Sequence, residues 1–66
     1  MTDEELPGVI LAGSRYKEDM TQAELAEKTG IPQSHISEME NGKRPITVKT
    51  AKILARALNT GYKVFL

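Results

Sequence analysis

Four polar side chains occupy positions that would share the outward face of a short helix: Gln33, Ser34, Ser37 and Glu38. Side chains of these types can hydrogen bond to the edges of nucleic-acid bases. Glutamine pairs with N6 and N7 of adenine, and glutamate accepts from N4 of cytosine. A helix face that is merely solvated would show the same residues, so this pattern leaves both interpretations open.

The chain offers little for catalysis or metal binding. It has no cysteine and one histidine, His35, which excludes disulfides and cysteine-based metal sites. No nucleophile–base pairing, metal-ligand spacing or phosphate-binding loop is visible. We therefore expect a protein that is not an enzyme and that uses no cofactor or metal ion.

The formal charge is balanced, but it is unevenly distributed. All nine acidic residues lie at or before Glu40, whereas six of the nine basic residues follow Asn41. Residues 1–40 therefore carry −6 and residues 41–66 carry +6. A chain polarised in this way can present a cationic face to phosphate, although charge alone favours a solvated cationic helix face.

The length of 66 residues predicts a single domain over 1–66, with residues 1–6 flexible. A domain of this size buries only about 60% of its unfolded surface, so helical packing or a dimer must stabilise it. No signal-peptide pattern is present, and no apolar run approaches the roughly 20 residues that span a bilayer. We therefore expect a soluble cytoplasmic protein with no membrane partner.

Helix signals predict an all-α fold. The expected helices cover residues 7–18, 22–28, 33–40 and 48–58. Thr21 and Glu24 form a capping-box pattern before the second helix, Gly30 can adopt the left-handed conformation that ends it, and Thr47 can cap the fourth. Residues 62–66 fit either one turn of a fifth helix or a short extended tail.

Helical periodicity also predicts the core. The expected core residues are Met20, Leu25, Ile31, Ile36, Met39, Ile46, Val48, Leu54 and Leu58. The apolar side chains near the carboxyl end, Tyr62, Val64 and Phe65, would either cover this core or form a patch for a dimer partner.

The segment from Thr21 to Gly42 carries a family resemblance. It reads Thr-Gln-Ala-Glu-Leu-Ala-Glu-Lys-Thr-Gly-Ile-Pro-Gln-Ser-His-Ile-Ser-Glu-Met-Glu-Asn-Gly. This pattern resembles the phage repressor and Cro-like (XRE-type) helix-turn-helix DNA-binding family, and the similarity extends from about Pro7 to Leu66. It implies a compact lambda-repressor-like fold of four or five helices. The helix-turn-helix would cover about 22–40, with its second helix exposed to the major groove.

The resemblance also implies roles for individual residues. Gln33 and Ser34, and then Ser37 and Glu38, are expected to contact bases. Five residues are expected to contact the DNA backbone: Gln22, His35, Asn41, Lys43 and Arg44. By the same resemblance, Arg15 and Glu40 are expected to form a structural ion pair, in which a carboxylate satisfies a partly buried arginine.

Two functions follow from this resemblance, and both require double-stranded DNA as a partner. The first is a sequence-specific transcription regulator, expected to be a repressor that binds a palindromic operator as a homodimer through helix 33–40. The second is the antitoxin of a toxin–antitoxin pair, which would bind its own promoter and a toxin protein. The sequence shows no long disordered arm that could wrap a toxin, which favours the first function.

Overall fold

The structure, a computed structural model, describes residues 6–66. Its elements are α1 (Leu6–Lys17), α2 (Gln22–Thr29), α3 (Gln33–Glu40), α4 (Val48–Leu58) and a 3₁₀ helix (Tyr62–Phe65). No strand occurs in this part of the chain, so the predicted all-α fold is confirmed. Among the described residues, no helix combines the length and the apolar composition that a membrane span requires. The expected flexibility of residues 1–6 falls outside the described residues except at Leu6, which is the first residue of α1.

The helix boundaries agree with the predictions to within one residue. The largest difference is in α1, which begins and ends one residue earlier than expected. Asp19 ends this helix by adopting a left-handed φ of 53°. The N–H of Met20 donates to the Arg15 carbonyl and that of Asp19 to the Tyr16 carbonyl, both at 3.0 Å. These bonds form a Schellman-type helix end, which the sequence did not indicate because aspartate replaces the usual glycine.

Side-chain caps start α2 and α4, as predicted. Thr21 Oγ1 accepts from the Glu24 N–H at 3.1 Å, and Glu24 Oε1 accepts from the Thr21 N–H at 3.0 Å. The Thr47 hydroxyl accepts from the Thr50 N–H at 3.3 Å. Gly30 ends α2 with a φ of 78°, in the region that glycine adopts without steric cost.

The core contains nine buried apolar residues from all four α-helices and the 3₁₀ helix: Leu11, Leu25, Ile36, Met39, Ala51, Leu54, Ala55, Leu58 and Phe65. Of the other predicted core residues, Met20, Ile31 and Ile46 are partly buried against this cluster. The prediction for Val48 is wrong, because its side chain is 50% exposed. Val48 is the first residue of α4. Periodicity identifies which side of a helix faces the core, but it does not show whether other elements extend far enough to cover the first residue.

The carboxyl-terminal segment forms one helical turn and not an extended tail. Phe65 is 1% exposed and completes the core, whereas Val64 is 43% exposed. Tyr62 is partly buried, and the Lys52 ammonium lies 5.2 Å from the centre of its ring. Of the two roles predicted for these aromatic and apolar residues, Phe65 therefore covers the core, and Val64 remains on the surface.

The start of α1 packs closely on the end of α3. A Cβ atom built at Gly8 would lie 2.7 Å from the carbonyl oxygen of Glu40 and closer still to that of Met39. Both atoms belong to the backbone and cannot rotate away. Gly8 is therefore the residue that permits this approach of α1 to the carboxyl end of α3.

Candidate nucleic-acid interface

One face of α3 packs on the core, and the other faces solvent. Ile36 is fully buried and Met39 is 3% exposed, whereas Gln33 and Ser34 in the first turn are exposed. His35 lies beside them and is half-buried. The start of α3 therefore presents two of the predicted base-contacting side chains to an incoming ligand.

In the second half of α3, residues of the exposed face form hydrogen bonds with the residues that follow the helix. Asn41 Nδ2 donates to the Ser37 carbonyl oxygen at 2.8 Å. Glu38 Oε1 accepts from Arg44 Nε at 2.9 Å. Two residues expected to contact bases are thus brought together with two expected to contact the DNA backbone.

A tight turn after α3 produces this arrangement. Gly42 adopts a left-handed φ of 73°, which glycine allows. The Lys43 N–H donates back to the Glu38 carbonyl at 2.8 Å, and the Gly42 N–H donates to the Met39 carbonyl at 3.2 Å. This Schellman-type turn places Lys43 and Arg44 beside the last turn of α3, where both are exposed.

Glu40 joins three parts of the fold at the carboxyl end of α3. Its Oε2 accepts from Arg15 Nε at 2.8 Å, and its Oε1 accepts from Arg15 Nη2 and from Gln22 Nε2, each at 3.0 Å. Arg15 Nη1 also donates to the Met20 carbonyl at 2.9 Å. The expected ion pair is therefore present, and the side chains of Arg15 and Glu40 are only 8% and 7% exposed. The hydrogen bond to Glu40 raises the pKa of the Arg15 guanidinium, because it stabilises the charged form.

Gln22 has a structural contact in addition to the DNA contact expected of it. It is half-buried, and its amide links the first residue of α2 to the last residue of α3 through Glu40. An amide group carries two N–H donors, so a second donor is left for another partner. The contact fixes the start of α2 beside the end of α3.

Comparison with known protein families identifies the family of this chain. A helix-turn-helix family model matches residues 15–65, which is most of the chain. The chain belongs to the helix-turn-helix family. The resemblance to XRE-type DNA-binding regulators is thereby confirmed.

Two relatives of this helix-turn-helix protein are informative. The restriction-modification controller protein C.AhdI from Aeromonas hydrophila superposes with a TM-score of 0.89 and 25% sequence identity, covering 97% of each chain. The control protein C.SmaI from Serratia marcescens is 40% identical over 42 residues, which are 64% of this chain and 50% of C.SmaI. The chain therefore spans about half the length of C.SmaI.

In this helix-turn-helix protein, α2 and α3 are the two helices of the motif, and residues 30–32 connect them. The motif's second helix is the one that enters the major groove in DNA-binding proteins of this class. Residues 6–66 contain no group of three or more side chains placed to hold a metal ion. They also contain no buried side-chain nitrogen or oxygen without a hydrogen-bond partner.

Sequence reasoning missed the pairing of Glu38 with Arg44 in this helix-turn-helix protein. The two residues are six positions apart, and Arg44 lies beyond the end of the helix, so the spacing rules for residues within one helix do not apply. The one available signal in the sequence is Asn41-Gly42, a dipeptide that is typical of a turn and therefore of the end of a helix. A glycine just after a helix also reverses the chain, and that reversal brings Arg44 back to Glu38.

Proposed function

We propose that this protein is a transcription regulator of the restriction–modification controller type, which represses transcription by binding a palindromic operator as a homodimer. The exposed polar face at the start of α3 carries this proposal, because Gln33 and Ser34 are free to reach base edges. The likeness to C.AhdI and C.SmaI, both named as control proteins, supports the controller role.

In this proposal α3 lies in the major groove. Gln33 and Ser34 contact base edges, and Ser37 contributes from the following turn. The first turn of α2 points its N–H groups at a phosphate, which the helix dipole favours. Lys43, exposed on the turn after α3, contacts the backbone together with His35 and Asn41.

A homodimer would place two copies of α3 one helical turn of DNA apart, about 34 Å from centre to centre. The small size of the domain supports association, because a core of this size gives limited stability. Val64 and Leu66 are 43% and 58% exposed, and apolar surface of this kind is often covered by a partner. Sedimentation equilibrium tests this part of the proposal, and a monomer at concentrations that saturate DNA contradicts it.

The antitoxin function lacks support. Neither C.AhdI nor C.SmaI is named as an antitoxin. No feature of residues 6–66 favours a toxin as partner over DNA alone.

Selection of bound duplexes from a random library tests DNA recognition directly. We expect an enriched palindrome with a half-site spacing of about 10 base pairs. Gln33→Ala should relax preference at one position of each half-site, at a cost of about 1–3 kcal/mol against the preferred base. Glu27→Ala, which removes an exposed side chain on α2, is the matched control and should leave the base preferences unchanged.

The outcomes separate the parts of the proposal. Folded protein that gives no retarded complex with any duplex at low salt would rule out DNA binding. A specific complex that raises transcription in a reconstituted assay would retain DNA recognition but contradict repression.

A further inference from the structure

We propose that Glu38 and Arg44 act as one unit in DNA recognition, in which Glu38 holds the guanidinium of Arg44 on the outward face of α3 and Arg44 binds a guanine. This inference rests on the proposed function and changes two assignments that were expected from the sequence. Glu38 becomes a positioning residue instead of a base contact, and Arg44 becomes a base contact instead of a backbone contact.

The hydrogen bond to Glu38 leaves the edge of the Arg44 guanidinium that can bind guanine without a partner in the described residues. Within residues 6–66, its guanidinium forms one side-chain hydrogen bond, from Nε to Glu38 Oε1 at 2.9 Å. The edge formed by Nη1 and Nη2 is therefore free, and this edge can donate two parallel hydrogen bonds to O6 and N7 of guanine. The two side chains are 42% and 46% exposed, so a ligand can reach them.

The position of the pair also favours a base over a phosphate. Glu38 lies one helical turn after Ser34 and therefore on the same side of α3. The turn at Gly42 carries Arg44 back to this face, with the Lys43 N–H bonded to the Glu38 carbonyl at 2.8 Å. A guanidinium held there lies beside the last turn of α3, on the side that carries Ser34, and not beyond the end of the helix.

The charge on α3 gives a second, independent reason for the pairing. The helix contains two acidic residues and no lysine or arginine. Glu40 is neutralised by Arg15, so Glu38 is the charge that would otherwise face a polyanion. Arg44 compensates it, and a contact of Arg44 with phosphate alone would leave the Glu38 carboxylate unpaired against DNA, where like charges repel.

The rival interpretations make different predictions. If Arg44 were a phosphate contact restrained by Glu38, removal of the acid would strengthen binding to every sequence. If Glu38 itself accepted from cytosine N4, removal of the acid would change the preference at a cytosine and leave guanine contacts intact.

The experiment uses the full chain and the operator obtained by selection from a random duplex library. Each guanine of a half-site is replaced in turn by 7-deazaguanine, which lacks the N7 acceptor, and the Kd is measured for wild type, Glu38→Gln, Arg44→Lys and Lys43→Ala. For wild type we expect one guanine at which the replacement weakens binding by roughly 5- to 100-fold. Glu38→Gln and Arg44→Lys should both lose this sensitivity at that guanine alone.

Lys43→Ala is the matched control, because it removes the adjacent exposed cation and keeps the pair. It should weaken binding to all duplexes, lower the salt slope by about one unit and retain the sensitivity to 7-deazaguanine. Circular dichroism confirms that each variant is folded. Arg44→Lys keeps the charge, so its loss of guanine sensitivity reports the guanidinium fork itself.

Four results would overturn the inference. One is uniformly tighter binding by Glu38→Gln to every duplex; another is a sensitivity to 7-deazaguanine that Arg44→Lys retains at every guanine. The third is a half-site in which no guanine responds to the replacement, and the fourth is a change of preference at a cytosine in Glu38→Gln only. In all four cases the wild-type protein still binds its operator, so the proposed function stands, whereas a wild-type protein that binds no duplex refutes both.

Discussion

The close approach of α1 to α3 predicts that one glycine of α1 cannot be replaced by alanine. In an exposed helix interior, Gly→Ala normally stabilises by about 1 kcal/mol. At Gly8 the added Cβ would lie 2.7 Å from the Glu40 carbonyl oxygen, whereas carbon and oxygen normally approach no closer than about 3.3 Å. The end of α3 would have to move by at least roughly 0.6 Å.

The expected cost of Gly8→Ala follows from this displacement. Overpacking a rigid site costs about 1–3 kcal/mol, and the upper end applies because both opposing atoms are backbone carbonyl oxygens. After the helix-propensity gain is subtracted, we expect a net loss of about 2 kcal/mol. In a domain of this size that loss lowers the Tm by about 8–16 °C.

Gly13 provides a control within the same helix. A Cβ at this position would meet no heavy atom within 4 Å, so Gly13→Ala should stabilise the fold by about 1 kcal/mol. Urea unfolding followed by far-UV circular dichroism measures both variants against wild type, with an unchanged m value as the test of two-state behaviour. If the two alanine variants change stability by the same amount in the same direction, the close approach at Gly8 is wrong.

Three further predictions concern the Arg15–Glu40 ion pair, the cap of α2 and the core. Glu40→Ala leaves the buried Arg15 guanidinium without its carboxylate partner, with only the Met20 carbonyl as an acceptor, and should cost about 3–5 kcal/mol; an unchanged melting curve would show that the pair is not buried in solution. NMR titration should give Glu24 a pKa below its ordinary value, because its carboxylate accepts from the Thr21 N–H, with a smaller contribution from the Thr21 side chain. The contribution of Glu24 to stability is then present above its unfolded-state pKa and is lost as the pH falls through the lowered one; a Glu24 pKa at its ordinary value in the folded protein contradicts the capping box. Phe65→Ala should cost about 3–5 kcal/mol in thermal unfolding, whereas a loss below about 1 kcal/mol would show that the 3₁₀ helix does not close the core.

Local chemistry explains why most of the helix boundaries could be predicted. A threonine cap acts on the N–H groups two or three residues ahead of it, so Thr21 and Thr47 mark their helices without reference to the rest of the fold. Gly30 marks the end of α2 in an equally local way, because glycine adopts the left-handed φ of a helix end without steric cost. Asp19 performs the same function at the end of α1, but an aspartate is no signal of a helix end, because most aspartates have a negative φ even though this residue type is enriched at positive φ.

Contacts between distant residues explain what the sequence did not predict. The exposed side of α3 follows from its periodicity, since Ile36 and Met39 must face the core. The partners of Gln22 and Glu38 depend on how the chain continues after α3, which no periodicity describes. Both side chains look like free polar groups in the sequence, and in the structure each is bonded to a residue of another segment.

The contacts of α3 are unequal at its two ends, and this inequality bears on recognition. A carboxylate in the last turn of a helix is unfavourable with respect to the helix dipole, yet Glu40 occupies that position and is nearly buried. Its bonds to Arg15 and Gln22 offset this cost and fix the carboxyl end of α3 to α1 and α2. The close packing of Gly8 acts at the same end. The carboxyl end of α3 is therefore fixed to the rest of the fold, and this anchoring sets the direction in which the exposed Gln33 points. Substitutions at Glu40 should impair DNA binding by changing the orientation of α3, even though the Glu40 side chain is nearly buried.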